Sequence, residues 1–244
     1  LAGGDTTVNA NKLTLGATDE TTADPKTVVA GGGAFAISAT DSVIDITRLT
    51  ETKIRSGANL AIGSGALVVQ ATSNTDGTST AKSTSGSAID IAALVVDTEV
   101  DNETVAWIER GATVRSAGGS VSVAAVSNDN NASSEIESTG VGILLKVGTT
   151  RPVAVTSAIT KAWIEGDVLG VSATQQPGSV SILAQANDRA TAGSVSAGGG
   201  AISVSNATVD ATTRSTVTAL AGGTIESAGN IQVRAIGRSD ADAS

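Results

Sequence analysis

The sequence predicts an all-β protein, a parallel β-helix or solenoid that occupies residues 1–244. Three observations predict this fold. The chain repeats itself about every 54 residues, its apolar residues are almost all small or β-branched, and its alternating segments are separated by Gly or by Asn, Asp and Ser. Such clusters are typical of turns. No stretch shows apolar residues at the 3.6-residue spacing of a helix.

The repeat is visible at two sets of positions. Apolar residues open an alternating segment at intervals of 54, 54, 59 and 51 residues: Leu13, Leu67, Val121, Val180 and Ile231. Glycines precede a second apolar segment at intervals of 55, 54 and 58 residues: Gly31, Gly86, Gly140 and Gly198. A fixed period of this kind is typical of proteins that stack one unit on the next. We divide the chain into a partial unit, residues 1–30, and further units at 31–85, 86–139, 140–197 and 198–244.

The residue types available for a core favour strands. Apolar residues make up 40% of the chain, yet it has two Trp, one Phe and no Tyr, Met or Cys. The core must therefore consist of Val, Ile, Leu and Ala, and β-branched residues fit best on a pleated strand. A β-propeller blade usually carries an aromatic signature. A parallel β-helix needs only small or β-branched inward residues that stack on their copies one coil away.

The length of the repeat leads to a prediction of how the chain winds. We expect two coils of about 27 residues per repeat, with three short strands in each coil, and about nine coils in a rod of roughly 40 Å. We expect Val121, Val123 and Val126 to face the interior and Ser122 and Ala124 to face solvent. Both ends of such a rod are open sheet edges, and no capping segment is visible in the sequence. We therefore expect one solenoid segment of a longer protein.

The units share an approximate pattern, G-G-G-A-I-x-V and then A-x-I-x-x-G-A-x-V-x-A-G-x-V-x-V-x-A, whose first part is complete in GGGAISV from Gly198. The pattern resembles the giant repetitive exoproteins of Gram-negative bacteria, which are filamentous-haemagglutinin-like adhesins and related two-partner-secreted or autotransported proteins. The resemblance implies a right-handed β-helix, an extracellular or cell-surface location, and a non-catalytic role as the shaft of an adhesin or surface filament. The lack of Cys is consistent with export, because a premature disulfide would block an unfolded chain in a narrow outer-membrane pore.

One alternative is a carbohydrate-active β-helix enzyme. The chain has no His, which removes Ser-His-Asp and Cys-His catalysis and imidazole metal ligands. Paired carboxylates remain, because two of them can act as acid and base. The candidates are Asp41, Asp45, Asp97, Asp101, Glu135 and Glu137. They form no cluster in the sequence, and the aromatic platforms of sugar sites are missing, so we predict no catalytic residue.

A second alternative is a Ca²⁺-stabilised binding module. Acidic and amide residues recur at the end of the same strand, and stacking them one unit apart would give a line of oxygen ligands. The candidate Ca²⁺ ligands are Asp76, Asp129, Asp188 and Asp240. The same residue types are those that solvated turns favour. We prefer this simpler interpretation and predict no cofactor.

The charge balance and the few aromatic residues limit the partners. The net charge of −9 disfavours nucleic acid, which needs a basic or aromatic surface. No run of 18 apolar residues is present, so we predict no membrane insertion. We expect self-association, end to end or side by side, as a filament, and a ligand on a host or neighbouring cell. Trp107 and Trp163 occupy equivalent positions and are either adhesive contacts or, as we prefer, residues that fill a corner of the core or cover its turn. We expect Phe35 in the core.

Overall fold

The protein is a parallel β-helix in the computed structural model, which describes residues 6–244 apart from the side chains of residues 142 and 143. Over that range the chain forms twelve strands and no helix, so it has no helix that could cross a membrane. The strands are β1 (Thr7–Ala10), β2 (Leu13–Ala23), β3 (Lys26–Ile54), β4 (Asn59–Ile62), β5 (Leu67–Ile108), β6 (Thr113–Ser116), β7 (Val121–Ile164), β8 (Asp167–Gly170), β9 (Val180–Gly199), β10 (Ile202–Ala207), β11 (Asp210–Ala221) and β12 (Ile231–Ala243).

The strands pair in parallel and join positions one repeat apart. A four-stranded sheet has the order β1-β4-β6-β8, and a larger sheet has the order β12-β9-β7-β5-β2, with β3 beside β5 and with β10 and β11 beside β7. The apolar residues that mark the repeat are direct neighbours in one column, in the order Leu13, Leu67, Val121, Val180 and Ile231. The sequence repeat is therefore the pairing repeat of the fold.

The prediction of two coils per repeat is wrong. Two coils would pair each residue with a residue about 27 positions away, whereas Leu67 pairs with Leu13 and with Val121. One coil therefore takes up the whole repeat, and the column through Leu67 has five layers within residues 6–244. At about 4.8 Å per layer these span roughly 19 Å along the axis, not 40 Å. The short strands that the sequence predicts merge into long ones, with 42 residues in β5 and 44 in β7.

Each coil is a flattened loop with two arms that face each other across the interior. In the second coil the inward residues are odd-numbered up to Ser87 and even-numbered from Asp90 onward, so the chain turns back between them. We call residues 67–87 and their copies the outgoing arm, residues 90–108 and their copies the returning arm, and the turn between them the tip. The hydroxyl groups of Ser73 and Thr104 are 2.6 Å apart across the interior, which shows how closely the arms approach.

The wide end of the loop holds the main hydrophobic core. There the short strands β1, β4, β6 and β8 form a third side, and buried Leu60, Leu67 and Ile108 pack in the cluster that they enclose. The corner before β6 is a tight turn in which the amide of Ala112 donates to the carbonyl of Glu109 at 3.0 Å. Gly111 lies in this turn with a φ of 85°, a backbone conformation that favours glycine.

The narrow part of the loop is filled by small and polar residues. Ser, Thr and Ala predominate among its buried side chains. Gly77 lies where a Cβ atom would be 3.1 Å from the Cγ2 atoms of Thr98 and Val100 on the facing arm. The two arms therefore lie too close together for larger side chains at this level. This explains why the inward positions here are occupied by small residues.

The predicted directions of the side chains are confirmed in part. Val121 and Val123 are buried, and Ser122 and Ala124 face outward and are half-buried. The prediction for Val126 is wrong, because the alternation continues through buried Ala125 and changes only at the irregular register between Ser127 and Asn130.

The prediction that Phe35 lies in the core is also wrong. Its side chain is 70% exposed on the outside of the first coil near the tip. Its neighbour Ala36 takes the inward position instead and is buried.

Candidate functional site

The candidate Ca²⁺ ligands do not converge. Asp76 and Asp240 lie in one column, but Arg189 lies between them. Asp129 lies in a neighbouring column on the surface, whereas Asp188 faces the interior and is 1% exposed. Among the described residues, no group of three His, Cys, Asp or Glu side chains could hold a metal ion. Arg189 therefore interrupts the line of oxygen ligands that the sequence suggests.

Asp188 instead ends a buried polar ladder that links three coils. The amide of Asn102 donates to Asn130 at 2.7 Å and to Ser73 at 2.8 Å, and the amide of Asn130 donates to Asp188 at 2.8 Å. Burial raises the pKa of Asp188, while the hydrogen-bonding groups of Ser215 and Asn130 oppose this rise. The sequence interpretation missed the ladder because Asn and Asp at these positions resemble turn residues.

The two tryptophans stack on the outside of the returning arm. Trp107 and Trp163 are neighbours in one column, and their ring centroids are 4.6 Å apart at an interplanar angle of 79°. Lys53 lies over the first ring at 5.5 Å, and Lys161 lies over the second ring at 6.0 Å. The interpretation as fillers of a core corner is wrong, because the half-buried rings pack on each other and on lysines outside the core.

A groove of about 740 Å³ lies on the outside of the returning arm. It crosses four coils, and each coil supplies three consecutive residues, of which the outer two form the walls. The first wall is the column Thr47, Asp101, Ser157 and Arg214. The second wall is the column Leu49, Glu103, Ile159 and Thr216. The volume is within the range of ligand-binding clefts.

The two walls differ in chemistry. In the first wall Asp101 and Arg214 lie two coils apart, about 9.6 Å along the axis, and neither belongs to an ion pair within residues 6–244. The second wall exposes 63% of Leu49 and 39% of Ile159. Its one charged residue, Glu103, faces the ammonium group of Lys161 at 3.7 Å. The groove therefore presents the charges of Asp101 and Arg214 on one side and the apolar surface of Leu49 and Ile159 on the other, and the exposed Arg48 lies between the two walls.

The acidic face beside the groove brings together three of the predicted catalytic candidates. Asp45, Asp97 and Asp101 lie near Glu99, which the sequence interpretation missed. Burial raises the pKa of Glu99, and the negative charges of Asp101, Asp45 and Asp97 raise it further, while Arg214 lowers it. The face therefore carries more negative charge than its own cations neutralise.

The other candidate carboxylates lie elsewhere. Glu135 and Glu137 are on the outer side of the outgoing arm, which faces away from the groove, and Glu137 pairs with Lys82 at 2.6 Å. Asp41 is on the returning arm nearer the tip and does not line the groove. The six candidates thus separate into two groups on opposite faces.

The fold defines the class of this protein as a parallel β-helix with one long coil per repeat. No family model matches the chain, and searches of curated proteins and of solved structures gave no significant match.

Proposed function

We propose that the chain is a shaft segment of an extracellular bacterial adhesin or surface filament and that its role is mechanical, not catalytic. The observation that carries this proposal is the continuous pairing between coils. From Leu67 with Val121 to Ile108 with Ile164, the two longest strands pair almost residue by residue, with register shifts at only two places between these two strands. Pairing of this kind can continue from coil to coil without limit, and the resulting shape is a rod.

Hydrogen bonds parallel to the axis supply the stiffness of the proposed shaft. Each coil is bonded to the next through its backbone, and side chains at the corners add bonds between coils. The carboxylate of Glu109 accepts from the amide of Ser56 one coil away at 2.9 Å, and that of Glu226 accepts from the amide of Gly170 at 2.8 Å. A pull along the axis would have to break many such bonds together, which suits a load-bearing part.

Two further features support the cell-surface role. The repeat resembles that of exported Gram-negative exoproteins, and the chain has no Cys to form disulfides during export. In the proposed filament, copies associate end to end or side by side, and the complete protein contacts a host or neighbouring cell.

The proposal is tested by electron microscopy of intact cells of the source organism, labelled with antibodies raised against this chain. We expect label on unbroken cells, along thin rods that leave the surface. Label that appears only after the cells are lysed would contradict the extracellular role. Rods that are absent from labelled cells would contradict the shaft.

Carbohydrate hydrolysis is a second candidate, favoured by one observation. The carboxyl of Glu99 has a pKa raised by burial and by neighbouring negative charges, and it lies near a second carboxylate, Asp101; a carboxyl with a raised pKa can act as a general acid. Glu99 does not line the groove, however, and the groove has no aromatic platform. Release of reducing sugar from a panel of polysaccharides, and its loss in a Glu99→Gln variant, would support this candidate.

A further inference from the structure

We propose that the groove across the four coils binds an extended peptide that lies along the rod axis and places a basic side chain against Asp101. This inference goes beyond the shaft role and does not depend on it. The occupant is a segment of another protein, held at the side of the rod.

The two walls match the alternation of an extended peptide. Successive side chains of such a peptide point to opposite sides, and alternate side chains are about 6.6 Å apart. A Lys facing Asp101 and a Glu two residues later would both lie along the first wall. These two peptide side chains are closer together than Asp101 and Arg214, and the long side chain of Arg214 covers the difference. The residues between them would face the second wall, where Leu49 and Ile159 expose apolar surface.

The charges favour this occupant over a neutral sugar. Asp101 lies among Asp45, Asp97 and Glu99, whose mutual repulsion a cation would relieve. Arg214 offers a site for an anionic group at the other end of the same wall. A neutral oligosaccharide would use neither charge and would find no aromatic ring in the lining.

Binding must come from side chains and not from strand addition. In the middle coils the groove is lined by β5 and β7, whose backbone groups already pair with the coils on both sides. A peptide therefore cannot join the sheet here as an extra strand. We expect a weak complex, with a dissociation constant on the order of 100 μM.

The test is a titration of the protein with acetyl-Leu-Lys-Leu-Glu-Leu-amide, followed by backbone amide chemical shifts. We expect saturable shifts at residues of the two walls, and binding about three- to fivefold weaker in Asp101→Asn, as for a partly exposed charge pair. Arg214→Gln should weaken it by a similar factor. Glu137→Gln, which removes a carboxylate from the opposite face, is the matched control and should leave the affinity unchanged. Thermal melts confirm that each variant is folded.

Four results would overturn the proposal. One is the lack of saturable shifts at the groove. A second is equal weakening by Asp101→Asn and Glu137→Gln, because this would show general attraction to an acidic protein. A third is equally strong binding of a peptide in which Lys is replaced by Glu. A neutral oligosaccharide that displaces the peptide would reassign the groove to carbohydrate, and none of these results would affect the cell-labelling test of the shaft.

Discussion

Val123 lies at the centre of the wide hydrophobic core, and its replacement tests the whole arrangement of coils. Its side chain is completely buried and pairs in one column with Val69 on one side and Ile182 on the other. Val123→Asp would put a carboxylate between these two aliphatic side chains. Val123→Ala would leave a cavity of two methyl groups at the same place.

The size of each effect follows from that burial. Removing two methyl groups costs about 1.6 kcal/mol in transfer free energy, and the remaining cavity brings the loss to about 2–3 kcal/mol. An unpaired buried carboxylate costs several kcal/mol, about 3–5, because no neighbouring group in the aliphatic column compensates its charge. A domain of this kind is stable by only about 5–15 kcal/mol, so the Asp variant should lose a large part of its stability.

The assay is chemical denaturation combined with native-state hydrogen exchange. Coils of a solenoid contact only their neighbours, so exchange should rise first in the coils that contain Val69, Val123 and Ile182. Ser122→Asp is the matched control, because Ser122 faces outward one residue away, and it should change stability by no more than about 0.5 kcal/mol. If Val123→Asp unfolds like the unmodified protein, or if the control is equally damaging, the inward assignment is wrong.

Three further predictions concern the interior and the turns. Asp188→Asn should stabilise the protein at neutral pH. Because the pKa of Asp188 is raised in the folded state, the stability of the protein falls as pH increases from the ordinary pKa of 3.8 through the raised value. The variant should lack this fall, and a pH profile of stability unchanged from that of the original protein would refute the prediction. Gly77→Val should cost about 1–3 kcal/mol by thermal melting, because the arms are too close there, whereas Gly86→Val, whose Cβ would meet no atom within 4 Å, should be tolerated. A chelator should leave the melting temperature unchanged, and a fall of several degrees would restore the Ca²⁺ alternative for Asp76.

The groove could be predicted from the sequence only in part. Asp101 is a candidate from the sequence, but Leu49, Glu103, Ile159 and Arg214 are not. They are 54 to 57 residues apart between successive coils, so the repeat spacing contains the signal that brings them together. The signal becomes usable only when the number of coils per repeat is known.

The sequence alone determines that this protein is a stack of parallel strands. The 54-residue repeat fixes which residues occupy equivalent positions in successive units, as in the series Leu13, Leu67 and Val121. The shortage of large side chains fixes a thin interior.

Only the tertiary structure decides how often the backbone turns within a repeat. Both halves of the repeat have the alternating pattern of strands and a similar composition. The sequence pattern is therefore compatible with one coil of about 54 residues and with two coils of about 27. The choice depends on the two arms packing face to face, with Gly77 against Val100 and Ser73 against Thr104. Those contacts join residues 23 and 31 positions apart across the interior, and no local sequence pattern predicts them.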